Sequence, residues 1–224
     1  MKKIVLGILT VILIAAMIIF IPKIVDFHQR QIVKGEVKAI FDLDFSSGKI
    51  DTEVKSKKSY AVVEKVIKNY MEDYMTIYRA NFEILNSDDF VAILSSENIK
   101  EDGPLFNNTK KYIDNAKKEL NKNYDILINM SKKESLQKAI DAKKLDKKYV
   151  EFYQELMIDG VFVEEDAEIS EMKDKTNRII TQVGTVLEFL TKNKDKWAIK
   201  DNILTFYDKD LLTQYNTLVV SIGT

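Results

Sequence analysis

Nineteen consecutive residues near the amino terminus, Ile4 to Pro22 (IVLGILTVILIAAMIIFIP), carry no charge. As a helix rising 1.5 Å per residue, such a run covers about 28 Å, the thickness of a bilayer's hydrocarbon core. A helix buried in a globular core keeps a polar stripe, and this run has none. A cleavable export signal has a shorter apolar core followed by small residues at the cut. Here Ala15 and Ala16 lie inside the run, and its exit reads Ile-Phe-Ile-Pro-Lys. The segment is therefore expected to remain in the membrane as a single transmembrane anchor.

Basic residues nearly balance across the run, with Lys2 and Lys3 before it and Lys23, Arg30 and Lys34 after it. The positive-inside count is thus close to a tie, and long domains translocate largely regardless of charge. A short basic start ahead of an apolar run is usual for exported proteins. The expected topology is single-pass in the cell membrane, with the amino terminus inside and the C-terminal domain outside.

Composition then narrows the chemistry. The chain has no Cys, which removes disulfides, thiol catalysis and thiolate metal sites. Its one His, His28, removes histidine triads and multi-His metal centres within one chain. Three Arg (Arg30, Arg79 and Arg178) and a net charge of −1 do not describe a nucleic-acid-binding surface. No glycine-rich phosphate loop, nucleophile elbow or metal-ligand cluster occurs, so no catalytic residue, cofactor or metal is assigned. The bias toward Lys, Ile and Asn is associated with AT-rich bacterial genomes.

With only 7 Gly and 2 Pro, the remainder is expected to be built from long helices. Residues 1–3 read as a short cytoplasmic start, 4–22 as the anchor, 23–58 as a juxtamembrane helix extension and polar linker, and 59–224 as a helical bundle domain. From Ser59, apolar residues at Val63, Val66, Ile67, Tyr70, Tyr74, Ile77 and Tyr78 recur at three- and four-residue steps. A short helix follows Asn86-Ser87, "SSENIKEDGP" breaks the chain, and a long helix runs from about Asn108 to Met130. Ser131 and Glu134 match a capping box. Further helices carry Leu136 to Met157, with a break near Asp146 and an end at Gly160, and Met172 to Leu190. "KWAIKDNILTFY" departs from helical rhythm: a turn at Asp201-Asn202 pairs Lys200 with Ile203, Ile199 with Leu204 and Trp197 with Phe206, a small C-terminal β-hairpin over 197–207. Asp208 caps a last helix. The fold class is mainly α, a single transmembrane helix followed by an extracytoplasmic helical bundle with that hairpin.

Two stretches invite a sharper reading. In "DLDFSSGKIDTE", Asp42, Asp44, Ser46 and Glu53 mimic calcium-loop positions. The sixth place, which needs Gly, holds Ser47, and the apolar eighth place falls one residue out of register with Ile50. A polar turn held by local Asp and Ser hydrogen bonds is the plainer account, with calcium as the alternative. Tyr70, Tyr74 and Tyr78 lie at i, i+4 and i+8 on one helical face. They form an interaction surface if exposed and core if not. Charge is also uneven: residues 110–148 hold 12 lysines against 6 acids, and 149–174 hold 9 acids against one lysine. That split forms either a binding face or internal pairing between neighbouring segments.

The functional expectation is a membrane-anchored, non-enzymatic binding or interaction module facing outward from a bacterial envelope. It would touch the bilayer through residues 4–22. Its partner would be another envelope or secreted protein, or an anionic wall polymer, met by a helix face or the Ser95–Asn108 loop. The alternatives are an envelope hydrolase using paired carboxylates and an extracytoplasmic sensor or accessory subunit of a membrane complex.

Overall fold

A computed structural model describes residues 23–162 and 165–223. The expected anchor at 4–22 lies outside the described residues, and among the described residues no helix is long and apolar enough to cross a membrane. The chain is mainly helical. Helix α1 covers 23–41, followed by α2 (Ser59–Leu85), α3 (Asp88–Val91), α4 (Ser96–Asp102), α5 (Asn107–Ser131), α6 (Lys133–Asp141) and α7 (Lys147–Leu156). A π-helical turn (Met157–Val161), α8 (Glu165–Lys192), β1 (Trp197–Lys200), β2 (Ile203–Phe206) and α9 (Lys209–Val220) complete it.

These elements divide into two compact units. The first uses described residues 23–73 and 133–162, and the second 74–132 and 165–223. In the first, α1 turns Val33, Val37 and Ile40 inward, and α2 presents Tyr60, Val63, Ile67 and Met71. Leu136 and Ile140 of α6 and Phe152, Tyr153 and Met157 complete this core. The Tyr60 ring meets Tyr149 and Phe152 edge-on, with centroids 4.9 and 5.5 Å away, a favoured geometry for aromatic quadrupoles. Arg30 stacks its guanidinium 4.6 Å from the centre of the Phe152 ring and pairs with Glu155 at 2.8 Å, and Lys34 reaches the same carboxylate at 2.6 Å. Of the acidic stretch 149–174, Glu155 thus finds cations on α1, Glu151 pairs with Lys147, and Glu171 pairs with Lys175 one turn on.

In the second unit, α5 and α8 run antiparallel. Lys110 meets Thr191, Asn121 meets Asn177, and Asp125 meets Lys173, so the two helices count in opposite directions. Asn121 and Asn177 exchange two hydrogen bonds, at 3.0 and 2.8 Å, and the Tyr124 and Thr176 hydroxyls meet at 3.0 Å. The hairpin has the register read from sequence, Trp197 opposite Phe206, Ile199 opposite Leu204 and Lys200 opposite Ile203. Asp201 and Asn202 both hold positive φ, 50° and 59°, as a type I′ turn demands. Its aromatic residues are anchored: Trp197 stacks on Phe106 and donates its indole N–H to the Leu190 carbonyl at 2.8 Å, while Phe206 packs against Phe189 and Tyr215. Asp208 caps α9 by accepting from the amides of Asp210 and Leu211.

Three local readings are corrected. "SSENIKEDGP" is not simply a break, because Ser95 accepts from the Asn98 amide and starts α4. Ser131 does not open a capping box. It is the last residue of α5, and its Oγ donates back to the Leu127 carbonyl. Gly160 does not close an α-helix in the left-handed conformation; it sits inside the π turn, where the Phe162 amide reaches the Met157 carbonyl.

Candidate functional site

The first unit contains an open groove of about 590 Å³. One wall is α2, whose residues Val62, Val66, Asn69, Tyr70 and Asp73 share a face by helical spacing. Ala139 in the last turn of α6 and Lys143 just beyond its end line it from another side, and Val54 closes it from the segment that leads into α2. Val54, Ala61, Val62, Val66 and Ala139 make its surface apolar, and Lys65, Asn69, Asp73 and Lys143 stand exposed at its rim. From Val62 to Asp73 the α2 wall is about 16 Å long, three helical turns.

Tyr70 is half-buried in this groove, its ring edge-on to Phe162 with centroids 6.2 Å apart. Burial pushes its hydroxyl up to about 12, so it stays protonated. Tyr153 of the same unit is fully buried, and its hydroxyl has no hydrogen-bond partner among the described residues.

What fixes the Val54 wall is a buried ionic cluster. Lys68 and Glu64, one turn apart on α2, have side chains only 2% and 1% exposed and meet at 2.9 Å. Lys68 also reaches Glu36 of α1 at 2.7 Å and donates to the Glu53 carbonyl. Glu64 accepts the amides of Lys55 at 3.0 Å and Ser56 at 2.8 Å. Lys55 returns to Glu36 at 2.9 Å and to Asp51 at 3.0 Å. The backbone on both sides of Val54 is therefore held by one ion pair. Burial alone would raise the carboxyls of Glu36 and Glu64, but hydrogen bonds hold both below the ordinary range: from Lys68 and Lys55 to Glu36, and from Ser56, Lys55 and Lys68 to Glu64. Burial works against the Lys68 ammonium as well, and its bonds to Glu36 and Glu64 nonetheless raise its pKa.

The residues singled out from sequence are dispersed. Tyr74 belongs to the second unit, is 1% exposed and donates to Glu165 at 2.8 Å. Tyr78, also in that unit, is half-buried. Of the tyrosine face, Tyr70 alone lines the groove. Asp44 turns its carboxylate onto its own loop, accepting from the Ser46 amide at 2.9 Å, Ser46 Oγ at 2.7 Å and Ser47 Oγ at 2.9 Å. These bonds, Ser46 first, hold its carboxyl low. Asp42 and Glu53 are exposed, and Glu53 engages the cluster through its backbone carbonyl. Among the described residues no group of three or more His, Cys, Asp or Glu side chains assembles as metal ligands. The 95–108 loop forms a second, smaller cleft of about 370 Å³ in its own unit, lined by Ile93, Asn98, Glu101, Thr109 and Tyr112 among others.

The buried Glu64–Lys68 pair was missed from sequence. Its signal is a charged i, i+4 pair lying inside the apolar stripe Tyr60–Val63–Ile67–Met71 rather than on the opposite face.

No family model, curated protein or solved structure matches this chain.

Proposed function

We propose that this protein is a membrane-tethered, non-enzymatic interaction module of a bacterial envelope, anchored by residues 4–22 with its folded part outside. Its docking site is the groove of the first unit, and its partner is an amphipathic helix of another envelope or secreted protein. The observation that carries this reading is the groove itself. An apolar surface three helical turns long, edged by exposed polar side chains, fits the ridge of a helix with anchors at i, i+3 or i+4, and i+7. The rim adds direction. Lys65 and Lys143 complement acidic residues on the partner, and Asp73 complements a basic one. The apolar lining favours a protein segment over an anionic wall polymer. The hydrolase alternative needs a carboxyl raised to serve as a proton donor. The buried Glu64 and the half-buried Glu36 beside it are held low instead, which supports a non-enzymatic role.

The test is a photo-crosslinking amino acid at Val62, irradiated in intact cells. One dominant adduct is expected, with the crosslinked partner peptide amphipathic and acidic on its apolar margin. The exposed double reversal Lys65→Glu/Lys143→Glu should weaken it by about tenfold, as like charges now face each other. A crosslinker at Glu171, on the second unit, should not give that adduct. An adduct indifferent to the charge reversal, or release of the chain from membranes by alkaline carbonate, sinks the proposal.

A further inference from the structure

The start of α1 has a composition that water alone does not explain. Its buried stripe is Val33, Val37 and Ile40, whereas Ile24, Val25 and Phe27 are 64%, 47% and 64% exposed. These three follow, after Lys23, the uncharged run that ends at Pro22. Around them lie cations. Lys23, Arg30 and Lys148 line a cleft of about 360 Å³ together with Asp26 and Phe27, and Lys34 stands one turn beyond Arg30 on α1. Four cations share two carboxylates there, Asp26 (2.9 Å from Lys148) and Glu155 (bonded to Arg30 and Lys34). Two of the cations are further held in place by rings, Arg30 over Phe152 at 4.6 Å and Lys148 over Tyr149 at 4.7 Å. The cleft is therefore positive by excess and its cations are oriented.

We infer that this cleft binds the phosphate of an anionic phospholipid headgroup, with Ile24, Val25 and Phe27 seated in the adjoining interfacial layer. The inference rests on the membrane anchor proposed above, and adds to it a lipid site on the folded part of the chain. Two features choose lipid over other anions. Phe and aliphatic side chains on a helix leaving the membrane sink to the boundary between headgroups and acyl chains, and cations beside them are attracted to anionic lipid at about fivefold in affinity apiece. A free phosphate would use the cations but leave the three exposed apolar residues in water.

The full chain is placed in nanodiscs of phosphatidylcholine with a third of phosphatidylglycerol, released gently, and its retained lipids are read by native mass spectrometry. Preferential retention of phosphatidylglycerol is expected, falling by about fivefold for each of Lys23→Gln and Lys148→Gln. Phe27→Ser should reduce total retained lipid without changing the ratio of the two lipids, and helical circular dichroism should be unchanged in all three variants. Retention at the bulk ratio in the wild-type chain overturns the headgroup site while leaving the anchor standing. So does an enrichment that the lysine variants preserve. Complete displacement of the lipid by millimolar inorganic phosphate also overturns it, since the site would then recognise phosphate alone. Failure of the chain to enter nanodiscs at all overturns both readings.

Discussion

Replacing Lys68 with Met tests whether the ionic cluster is as buried as its geometry indicates. The Lys68 side chain is 2% exposed, and its ammonium contacts Glu64, Glu36 and the Glu53 carbonyl. Met fills similar volume without charge, so packing is largely kept and the loss is electrostatic. Glu36 retains Lys55, but Glu64, 1% exposed, keeps only two backbone amides. The cost should be about 3 kcal/mol, the lower end for breaking a buried pair. Neutralising the orphaned partner as well, in Glu64→Gln/Lys68→Met, leaves one carbonyl for two amides and should reduce the deficit to about 1–2 kcal/mol. The pH dependence changes too. In the wild-type chain the Glu36 and Glu64 pKa values are lowered, so their contribution is present above about pH 4–5 and is lost as pH falls through the folded values. In Lys68→Met the Glu64 carboxyl loses its cation and keeps the Ser56 and Lys55 hydrogen bonds against burial, so its pKa rises relative to the wild-type chain and the variant's deficit narrows as pH falls. Urea unfolding of the full chain in detergent, followed by circular dichroism, gives the energies. Hydrogen exchange of residues 51–58 gives the local readout, because Glu64 is the acceptor that protects the Lys55 and Ser56 amides. A deficit below about 1 kcal/mol at pH 7, or one that does not move with pH, refutes the reasoning and means that Lys68 is solvated.

Other consequences follow in the second unit, where Trp197, the chain's one tryptophan, is a fluorescence reporter. Trp197→Ala should cost about 3 kcal/mol of that unit's stability, and Trp197→Phe about 1 kcal/mol through the lost bond to Leu190, both read by urea unfolding followed by circular dichroism because these two variants lack the reporter. Gly103→Ala should destabilise by about 1–3 kcal/mol, since a Cβ there would meet the Ile99 carbonyl, the Trp197 ring at 3.1 Å and the Phe106 ring at 3.3 Å; an unchanged midpoint refutes it. Asp102→Ala should cost about 1–2 kcal/mol, because the residue before α5, Phe106, has left-handed φ and no capping oxygen, and Asp102 accepts the Asn108 and Thr109 amides in its place. Burial opposes the Asp102 charge, but the Thr109 and Asn108 bonds hold its carboxyl low. This contribution should therefore fade as pH drops below about 4, and be absent from the variant's pH profile.

Sequence periodicity located the long helices because their buried faces repeat at helical spacing, as with Ile113, Ala116, Leu120 and Leu127 on α5. The hairpin was legible for a different reason: Asp and Asn tolerate positive φ, so Asp201-Asn202 fixes the register of everything around it. Caps were less legible. Ser95 and Ser131 both precede polar helical sequence, and only tertiary context decides that the first begins a helix and the second ends one. The groove could not be read at all. It needs α6 beside α2, and Ala139 and Val54 are silent in any local pattern. Glu64 and Lys68 were hidden by the ordinary rule that charged residues face water, which holds unless several partners converge on one point.

The cluster and the groove belong to one arrangement. A buried ion pair is a poor source of stability, since desolvation consumes most of its attraction. An apolar pair at 64 and 68 would hold α2 as well, but it would leave the amides of Lys55 and Ser56 and the carbonyl of Glu53 with nothing to bond. The ionic pair instead fixes the segment 53–56, which has no helix or strand of its own to satisfy it. Val54 lies between those bonded groups and forms a wall of the groove. Lys68→Met should therefore do more than lower stability. It should free Val54, widen the groove, and reduce the Val62 crosslink even under conditions where the chain remains folded by circular dichroism. Undiminished crosslinking from folded Lys68→Met would separate the two features and reduce the cluster to a local staple.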